Sequence, residues 1–338
     1  MATTVRSYAK INLGLRIGAL RDDGFHALAT VYQTIDLWDR ITVTAEPAAE
    51  TEITIRCSHS WVPNDQRNTC WKITAAALET IATNARVEIE IDKRLPVQGG
   101  LGAGSGNAAA ALRALEAEMA NFPGTKPLSA EQRLAVAAQT GSDVPLFIVG
   151  GASLGTGRGE VVTPLEDAAP LWCVVAVPGV GVSTALAFRQ WDSAERQVLT
   201  ASQAQSRLEE LSRSVAEVWP QTGSSGVFSS FTSGREGLAG NPILALVRTG
   251  IENDFESVVF PQHPLLRDLK LALAGPHPDT PEENEIGRAA YAALSGSGSA
   301  LFGLYLTEEA ALAGARRVEA LGVKALVTRT LGRGTASR

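Results

Sequence analysis

Pro96-Val97-Gln98-Gly99-Gly100-Leu101-Gly102-Ala103-Gly104-Ser105-Gly106-Asn107-Ala108-Ala109-Ala110 places five glycines between Pro96 and Gly106 and then runs into an alanine-rich segment. Glycine bends freely and lets a ligand approach main-chain N–H groups closely. A helix start leaves its first N–H groups unpaired and electropositive. Together they form a seat for phosphate oxygens. The loop lacks the Gly-Lys-Ser/Thr ending of a Walker loop, and its glycines do not follow the Gly-x-Gly-x-x-Gly pattern of a dinucleotide fold. Val87, Ile89 and Ile91 alternate with Glu88 and Glu90 just before it, the pattern of a half-buried strand. Taken alone, the stretch reads equally as a phosphate cradle and as a flexible turn ahead of an ordinary helix.

The chain has 338 residues, enough for two domains or one large one. It is 45% apolar and 20% charged, with a net charge of −6, which argues against nonspecific nucleic-acid binding. Cys57, Cys70 and Cys173 stand far apart, which excludes a disulfide framework and a cysteine zinc site. The first ten residues hold no apolar core of signal-peptide length, and no run approaches the ~18 apolar residues of a membrane span. A cytoplasmic protein is expected, with no nucleic-acid or membrane partner, as monomer or homodimer.

Along the chain, residues 4–17 read as a strand broken by Gly14, and Ile41–Thr44 and Ile53–Ile55 as two strands joined by a turn at Pro47. Trp71–Ile81 has helical spacing, capped by Asn68 or Thr69, and Ala108–Met119 is a second helix. Ser129-Ala130-Glu131-Gln132 has capping-box form and opens a third, stopped by Gly141. Val144–Val149 reads as a buried strand and Trp172–Val177 as a central one. Gly223–Gly240 and Gly275–Glu285 read as loops, followed by a helix over Glu285–Leu294, a strand over Ala300–Leu306, a helix capped by Thr307 and a strand over Val323–Thr330. The domain boundary is expected near residue 165, dividing the chain into 1–165 and 166–338.

Three separated segments combine. They are Ala9-Lys10-Ile11-Asn12-Leu13, the glycine-rich loop, and Leu294-Ser295-Gly296-Ser297-Gly298-Ser299. In order and spacing they resemble the three motifs of the GHMP kinase superfamily, over nearly the whole chain. Asp22-Asp23-Gly24-Phe25-His26, Asp92-Lys93-Arg94-Leu95-Pro96 and Gly141-Ser142-Asp143-Val144-Pro145 resemble further motifs of one branch. That branch phosphorylates the 2-hydroxyl of a cytidyl methylerythritol in non-mevalonate isoprenoid synthesis. The resemblance implies an α+β, two-domain GHMP kinase fold. Its N-terminal α/β domain is like ribosomal S5 domain 2, and its C-terminal α+β domain is ferredoxin-like.

It also implies roles. Asp143 matches the catalytic acid and would take the proton of the acceptor alcohol. Lys10 matches the catalytic lysine, orienting Asp143 and attracting the γ-phosphoryl group. Pro96, Val97, Gln98, Gly99, Gly100, Leu101, Gly102, Ala103, Gly104, Ser105 and Gly106 would grip the phosphates of ATP. Phe25 and Phe188 match aromatics that stack on cytosine, His26 the residue that hydrogen-bonds the base, and Asn12 a contact to the methylerythritol part; Tyr32 is a wall of the same pocket. Mg²⁺ is implied with ATP, but Gly106 stands where relatives carry a second serine, which leaves the metal's protein ligands unassigned. Ala103 stands where relatives have glycine and calls for a negative φ.

Read singly, each residue has a plainer explanation: a solvated lysine, a turn carboxylate, core aromatics, a surface-turn histidine. The ordered set of motifs favours the functional one. Three other readings remain. A sister kinase for homoserine, mevalonate or galactose has no use for a base clamp at Phe25, His26 and Phe188. A catalytically inactive nucleotide sensor has no need of both Lys10 and Asp143. An oxidoreductase does not fit the glycine spacing.

Overall fold

Alternation of β-branched and polar residues builds the first half of the chain, and small residues let helices lie close upon it. In order come β1 (Ala2–Leu20), β2 (His26–Pro47), β3 (Glu52–Cys57), α1 (Thr69–Thr80), β4 (Ala85–Asp92), α2 (Ala103–Met119), α3 (Ala130–Thr140), α4 (Val144–Val149), β5 (Ala152–Thr156) and β6 (Val161–Pro164). The computed structural model describes residues 2–97, 99–195, 200–219, 240–276 and 287–336. Five strands run in the order β3-β4-β2-β5-β6, and β1 pairs antiparallel with the long β2. Ile41 and Val43 of β2 and Val87, Ile89 and Ile91 of β4 face Ile73 and Ala77 of α1 and the Ala108–Leu112 stripe of α2. That alanine stripe carries little side chain, so α2 lies close against β1 and β2.

The chain enters a second sheet between Pro164 and Trp172. Its elements are β7 (Trp172–Val177), α5 (Thr184–Glu195), α6 (Ala201–Val218), α7 (Pro242–Arg248), α8 (Glu256–Val259), α9 (Pro264–Ala274), β8 (Tyr291–Leu294), β9 (Leu301–Tyr305), α10 (Glu308–Ala320), β10 (Lys324–Arg329) and α11 (Arg333–Ala336). The strands pair antiparallel in the order β10-β7-β9-β8. Numbered along the chain, that is 4-1-3-2, the ferredoxin-like arrangement. One apolar cluster joins the two sheets: Ile11 and Leu13 of β1 pack with Cys173 and Val175 of β7, Phe302 and Leu304 of β9, and Leu211 and Val215 of α6. Among the described residues no helix is long and apolar enough to cross a membrane.

Several local expectations change. Val144–Val149 is helix α4, not a strand, because Pro145 in its first turn favours helix and a six-residue apolar run carries no decisive period. Tyr291–Leu294 is strand β8, not the end of a helix, because pairing with β9 outweighs the helical preference of its alanines. α2 starts at Ala103, five residues early, so Gly104 and Gly106 belong to its first turn. The two strands expected around Pro47 are present as the end of β2 and as β3, with β4 lying between them in the sheet. Most of Gly223–Gly240 and of Gly275–Glu285 lies outside the described residues.

One buried carboxylate fixes the approach to the glycine-rich loop. Asp39 is fully buried and accepts from the amides of Arg94 and Leu95, each at 2.7 Å, while Lys93 Nζ donates to its second oxygen. Removing one member of a buried pair leaves the other charge uncompensated. Asp39→Ala is expected to lower the free energy of unfolding by about 3–5 kcal/mol in urea titrations. A change below about 1 kcal/mol would show that the pair does not anchor this segment.

Candidate active site

The site grows from one face of β1. Lys10 and Asn12, two residues apart, point the same way and are both buried. Lys10 Nζ donates to Asn12 Oδ1 at 2.6 Å and lies 3.5 Å from Asp143 Oδ2. Asn12 Nδ2 donates to Thr30 Oγ1 at 2.8 Å, and Thr30 passes its proton to Gly14 O at 2.7 Å. That chain fixes the amide of Asn12 with its oxygen towards the ammonium. Asp143 sits at the joint between α3 and α4, where its side chain caps nothing and is 34% exposed. Tyr32 donates to its Oδ1 at 3.1 Å. The carboxylate is therefore held at both oxygens and still open to the cleft.

The glycine-rich loop lies beside this pair. The Lys10 amide donates to Leu101 O at 3.0 Å. Beyond it, the first amides of α2 point out of the helix without intrahelical partners. The loop is clamped from the C-terminal side: Ser295 Oγ donates to Gly100 O at 3.0 Å and the Ala300 amide to Gly99 O at 3.1 Å. Gly100 has φ +75, and a Cβ there would lie 2.0 Å from Ser295 O. Asn253 shapes the clamp, donating to Leu294 O and Gly296 O, both at 2.8 Å. A Cβ on Gly106 would lie 2.8 Å from Tyr8 O, so the close approach of α2 to β1 leaves no room for a side chain there. Ala103, in the first helical turn, keeps a negative φ.

Two cavities meet at the loop. A cleft of about 680 Å³ carries Lys10, Asn12, Asp143, Phe25, His26 and Phe188. A second cavity of about 430 Å³ lies over the α2 start, with Ser105, Lys93, Val97 and Trp61 on its walls. Gly100 and Gly102 line both. In the cleft Phe25 is half exposed, with the Arg158 guanidinium 4.9 Å from its ring centre. His26 stacks in parallel on Phe188, centroids 5.1 Å apart at 4°. Its Nδ1 lies 3.0 Å from Gly18 O and its Nε2 3.2 Å from Asp192 Oδ1.

The residues expected from the sequence thus line these two adjoining cavities, apart from Gln98, which lies outside the described residues, Leu101, whose side chain is buried in the core, and Gly106, which packs against Tyr8 O instead. Sequence reasoning missed the hydrogen bond from Tyr32 to Asp143, the Thr30 relay, Arg158 and Asp192. Two signals were present. His26, Leu28, Thr30 and Tyr32 alternate along β2 and all line the cleft. Asp192 follows Phe188 by four residues on α5, one turn along the same face.

Comparison with known proteins places this arrangement. Residues 68–151 match the GHMP kinases N terminal domain, the class of small-molecule kinase that fold and site define. The chain is 33% identical over 301 residues to the 4-diphosphocytidyl-2-C-methyl-D-erythritol kinase of Alkaliphilus metalliredigens, covering 89% of this chain and 87% of the relative. It is 35% identical over 330 residues to the enzyme of the same name from Solibacter usitatus, covering 95% and 87%. A crystal structure of 4-(cytidine 5'-diphospho)-2C-methyl-D-erythritol kinase superposes with a TM-score of 0.64 at 26% identity, covering 98% of this chain and 100% of the other. A homoserine kinase from Cytophaga hutchinsonii shares the fold, with a TM-score of 0.69 at 19% identity over 98% and 95% of the two chains. The chain belongs to the 4-diphosphocytidyl-2-C-methyl-D-erythritol kinase family.

The buried phenol at the centre of the site makes a pH prediction. Burial, and then the charge of Asp143, push Tyr32 well above its ordinary value. Burial also raises Tyr291 and Tyr305, and lifts the Cys70 thiol to about 12. In the unfolded chain thiols ionise near ~8.5 and phenols near ~10, while the folded protein keeps these protons. The folded state then binds more protons, so stability is intact below those values and falls as pH rises through them, by about 1.4 kcal/mol per pH unit per group. Urea unfolding is expected to weaken from about pH 9 and more steeply above about pH 10. Tyr32→Phe should flatten the slope above pH 10 by one group; an unchanged slope would place the Tyr32 proton outside this linkage.

Proposed function

We propose that the protein transfers the γ-phosphoryl group of ATP to the 2-hydroxyl of 4-diphosphocytidyl-2-C-methyl-D-erythritol, a step of isoprenoid synthesis by the non-mevalonate route. The observation that carries this is the shared wall at Gly100 and Gly102. It sets a phosphate-binding helix start against a cleft holding a lysine, a carboxylate and an aromatic pocket.

The triphosphate lies along the first amides of α2, with its adenosine in the cavity walled by Val97 and Trp61. The acceptor enters the cleft with its base among Phe25, His26 and Phe188 and its polyol near Asn12. Asp143, held by Tyr32 and Lys10, takes the hydroxyl proton as the oxygen attacks phosphorus, and ADP leaves. Lys10 lies where it can also meet the charge on the transferring group. In phosphoryl transfer such placement supplies most of the rate enhancement. For Mg²⁺, no cluster of three or more acidic, histidine or cysteine side chains occurs among the described residues. The Ser105 hydroxyl at the α2 start suits an ion held mainly by phosphates and water, where it would neutralise phosphate charge.

ADP release measured with the cytidyl substrate, homoserine, mevalonate and galactose tests the reading. Turnover is expected with the first alone; release with another alcohol instead would make this a sister kinase, and release with none a sensor. Asp143→Asn is expected to cut kcat by about 10²–10⁴-fold with ATP affinity retained. Phe25→Ala should raise KM for the cytidyl substrate about 10–100-fold, the scale of one lost base–aromatic stack, and leave KM for ATP in place.

A further inference from the structure

We infer that Thr69 is a positioning residue for the donor nucleotide. Its hydroxyl, at the start of α1, holds the first turn of α2 in the shape that binds phosphate. The inference rests on the kinase reading above and adds to it the side chain that braces the phosphate seat.

The first turn of α2 is weak by composition. It comprises Ala103, Gly104, Ser105 and Gly106, and glycine is the poorest helix former after proline. Gly102 at the N-cap has φ +69 and supplies no side-chain cap. Ser295, the Ala300 amide and the Lys10 amide hold Gly99, Gly100 and Leu101, before the helix begins. Among the described residues one side chain hydrogen-bonds the backbone of the turn itself: Thr69 Oγ1 donates to Gly104 O at 2.7 Å.

Thr69 can do this because its own helix is capped by its neighbour. Asn68 Oδ1 accepts from the Cys70 amide at 2.8 Å, and Asn68 Nδ2 donates to Pro63 O at 2.6 Å. The Thr69 hydroxyl is therefore not spent on α1. Cys70, Ile73 and Ala77 seat α1 in the core with the alanines of α2, so the hydroxyl projects from a fixed backbone. Thr69, Gly104 and Ser105 all line the cavity over the α2 start. Gly104 O and the Ser105 N–H belong to one peptide group. A hydrogen bond accepted by that carbonyl polarises the group and strengthens its N–H as a donor. Ser105 is the third residue of α2, so its amide has no partner within the helix and stands open to an anion. One hydroxyl thus keeps the turn from fraying and sharpens a donor of the seat.

The test is calorimetric titration of the full chain with ADP and with adenosine, alongside steady-state kinetics. Thr69→Val removes the hydroxyl and keeps the branched shape. Its Kd for ADP is expected to rise about 3–10-fold, the scale of one hydrogen bond, with the Kd for adenosine unchanged. KM for ATP should rise by the same factor, with kcat and KM for the cytidyl acceptor retained. Thr69→Ser keeps the donor and should restore the affinity for ADP. A Thr69→Val variant that binds ADP as the wild-type protein does, or that loses ADP and adenosine alike, would overturn this inference alone. Absence of turnover by a wild-type protein that binds ADP would remove the kinase reading, and the ADP titration decides the role of Thr69 separately. A wild-type protein that binds no ADP would remove the phosphate seat and both readings with it.

Discussion

Lys10 is where the backbone and the chemistry of this protein are tied together. Its amide holds the glycine-rich loop through Leu101 O, and its ammonium reaches Asp143 and Asn12. A buried ammonium is costly unless it is paired and hydrogen-bonded. Here both conditions are met by side chains far apart in the sequence. Asp143 can meet Lys10 only because α3 stops at Gly141 and α4 begins within three residues. Asn12 can turn its oxygen to the ammonium only because Thr30 takes its amide hydrogen. Satisfying one lysine therefore specifies the placement of four chain segments.

The second half of the chain completes a loop that the first half leaves unsupported. The glycine-rich stretch has almost no side chains with which to hold itself, so its shape is set from outside. Ser295 and the Ala300 amide clamp Gly100 and Gly99, and Asn253 sets the shape of the clamp. Asp254, next to Asn253, is buried against Arg16 and Arg207 and accepts from the Ile17 amide, tying the same segment to β1 and α6. Absence of a Cβ at Gly100 is thus a packing requirement as well as a conformational one. The glycine-rich loop is preorganised by contacts from the second half of the chain, and for the phosphate seat proposed above a preorganised loop avoids the cost of ordering on each nucleotide.

What could be read from the sequence follows from the range over which each signal acts. The capping box at Ser129 and Gln132 and the cap at Asn68 are local, and both form as their residue types dictate. The alternation in β1 and β4 is local too, because one face is buried along its length. Val144–Val149 and Tyr291–Leu294 misled because their conformations are decided by neighbours: a proline turn that presents Asp143 in one case, an antiparallel partner in the other. The convergence of the candidate site was legible where a motif names its residue, as at Lys10, Asp143 and the glycine-rich loop, which the fold brings together. It was not legible where function depends on a pairing across the fold. Nothing around Tyr32 announces that its hydroxyl will meet Asp143, 111 residues away. Nothing around Asp192 announces that it will face His26.

The cleft divides its labour by how its walls are held. Lys10, Asn12 and Asp143 lie in a network in which each polar group is fixed by another and all stand against the rigid first sheet. The base end is built otherwise. Phe25 projects from the short turn between β1 and β2, half exposed, with Arg158 over its ring; Phe188 and Asp192 stand on one face of α5. These groups touch one another through stacking and single hydrogen bonds, and none of them pairs with the lysine–carboxylate centre. A substitution at this end of the cleft can therefore change its shape while leaving the Lys10–Asp143 pair in place. In the proposed function, one scaffold then keeps its phosphate seat and its carboxylate while the far wall of the cleft decides the substrate.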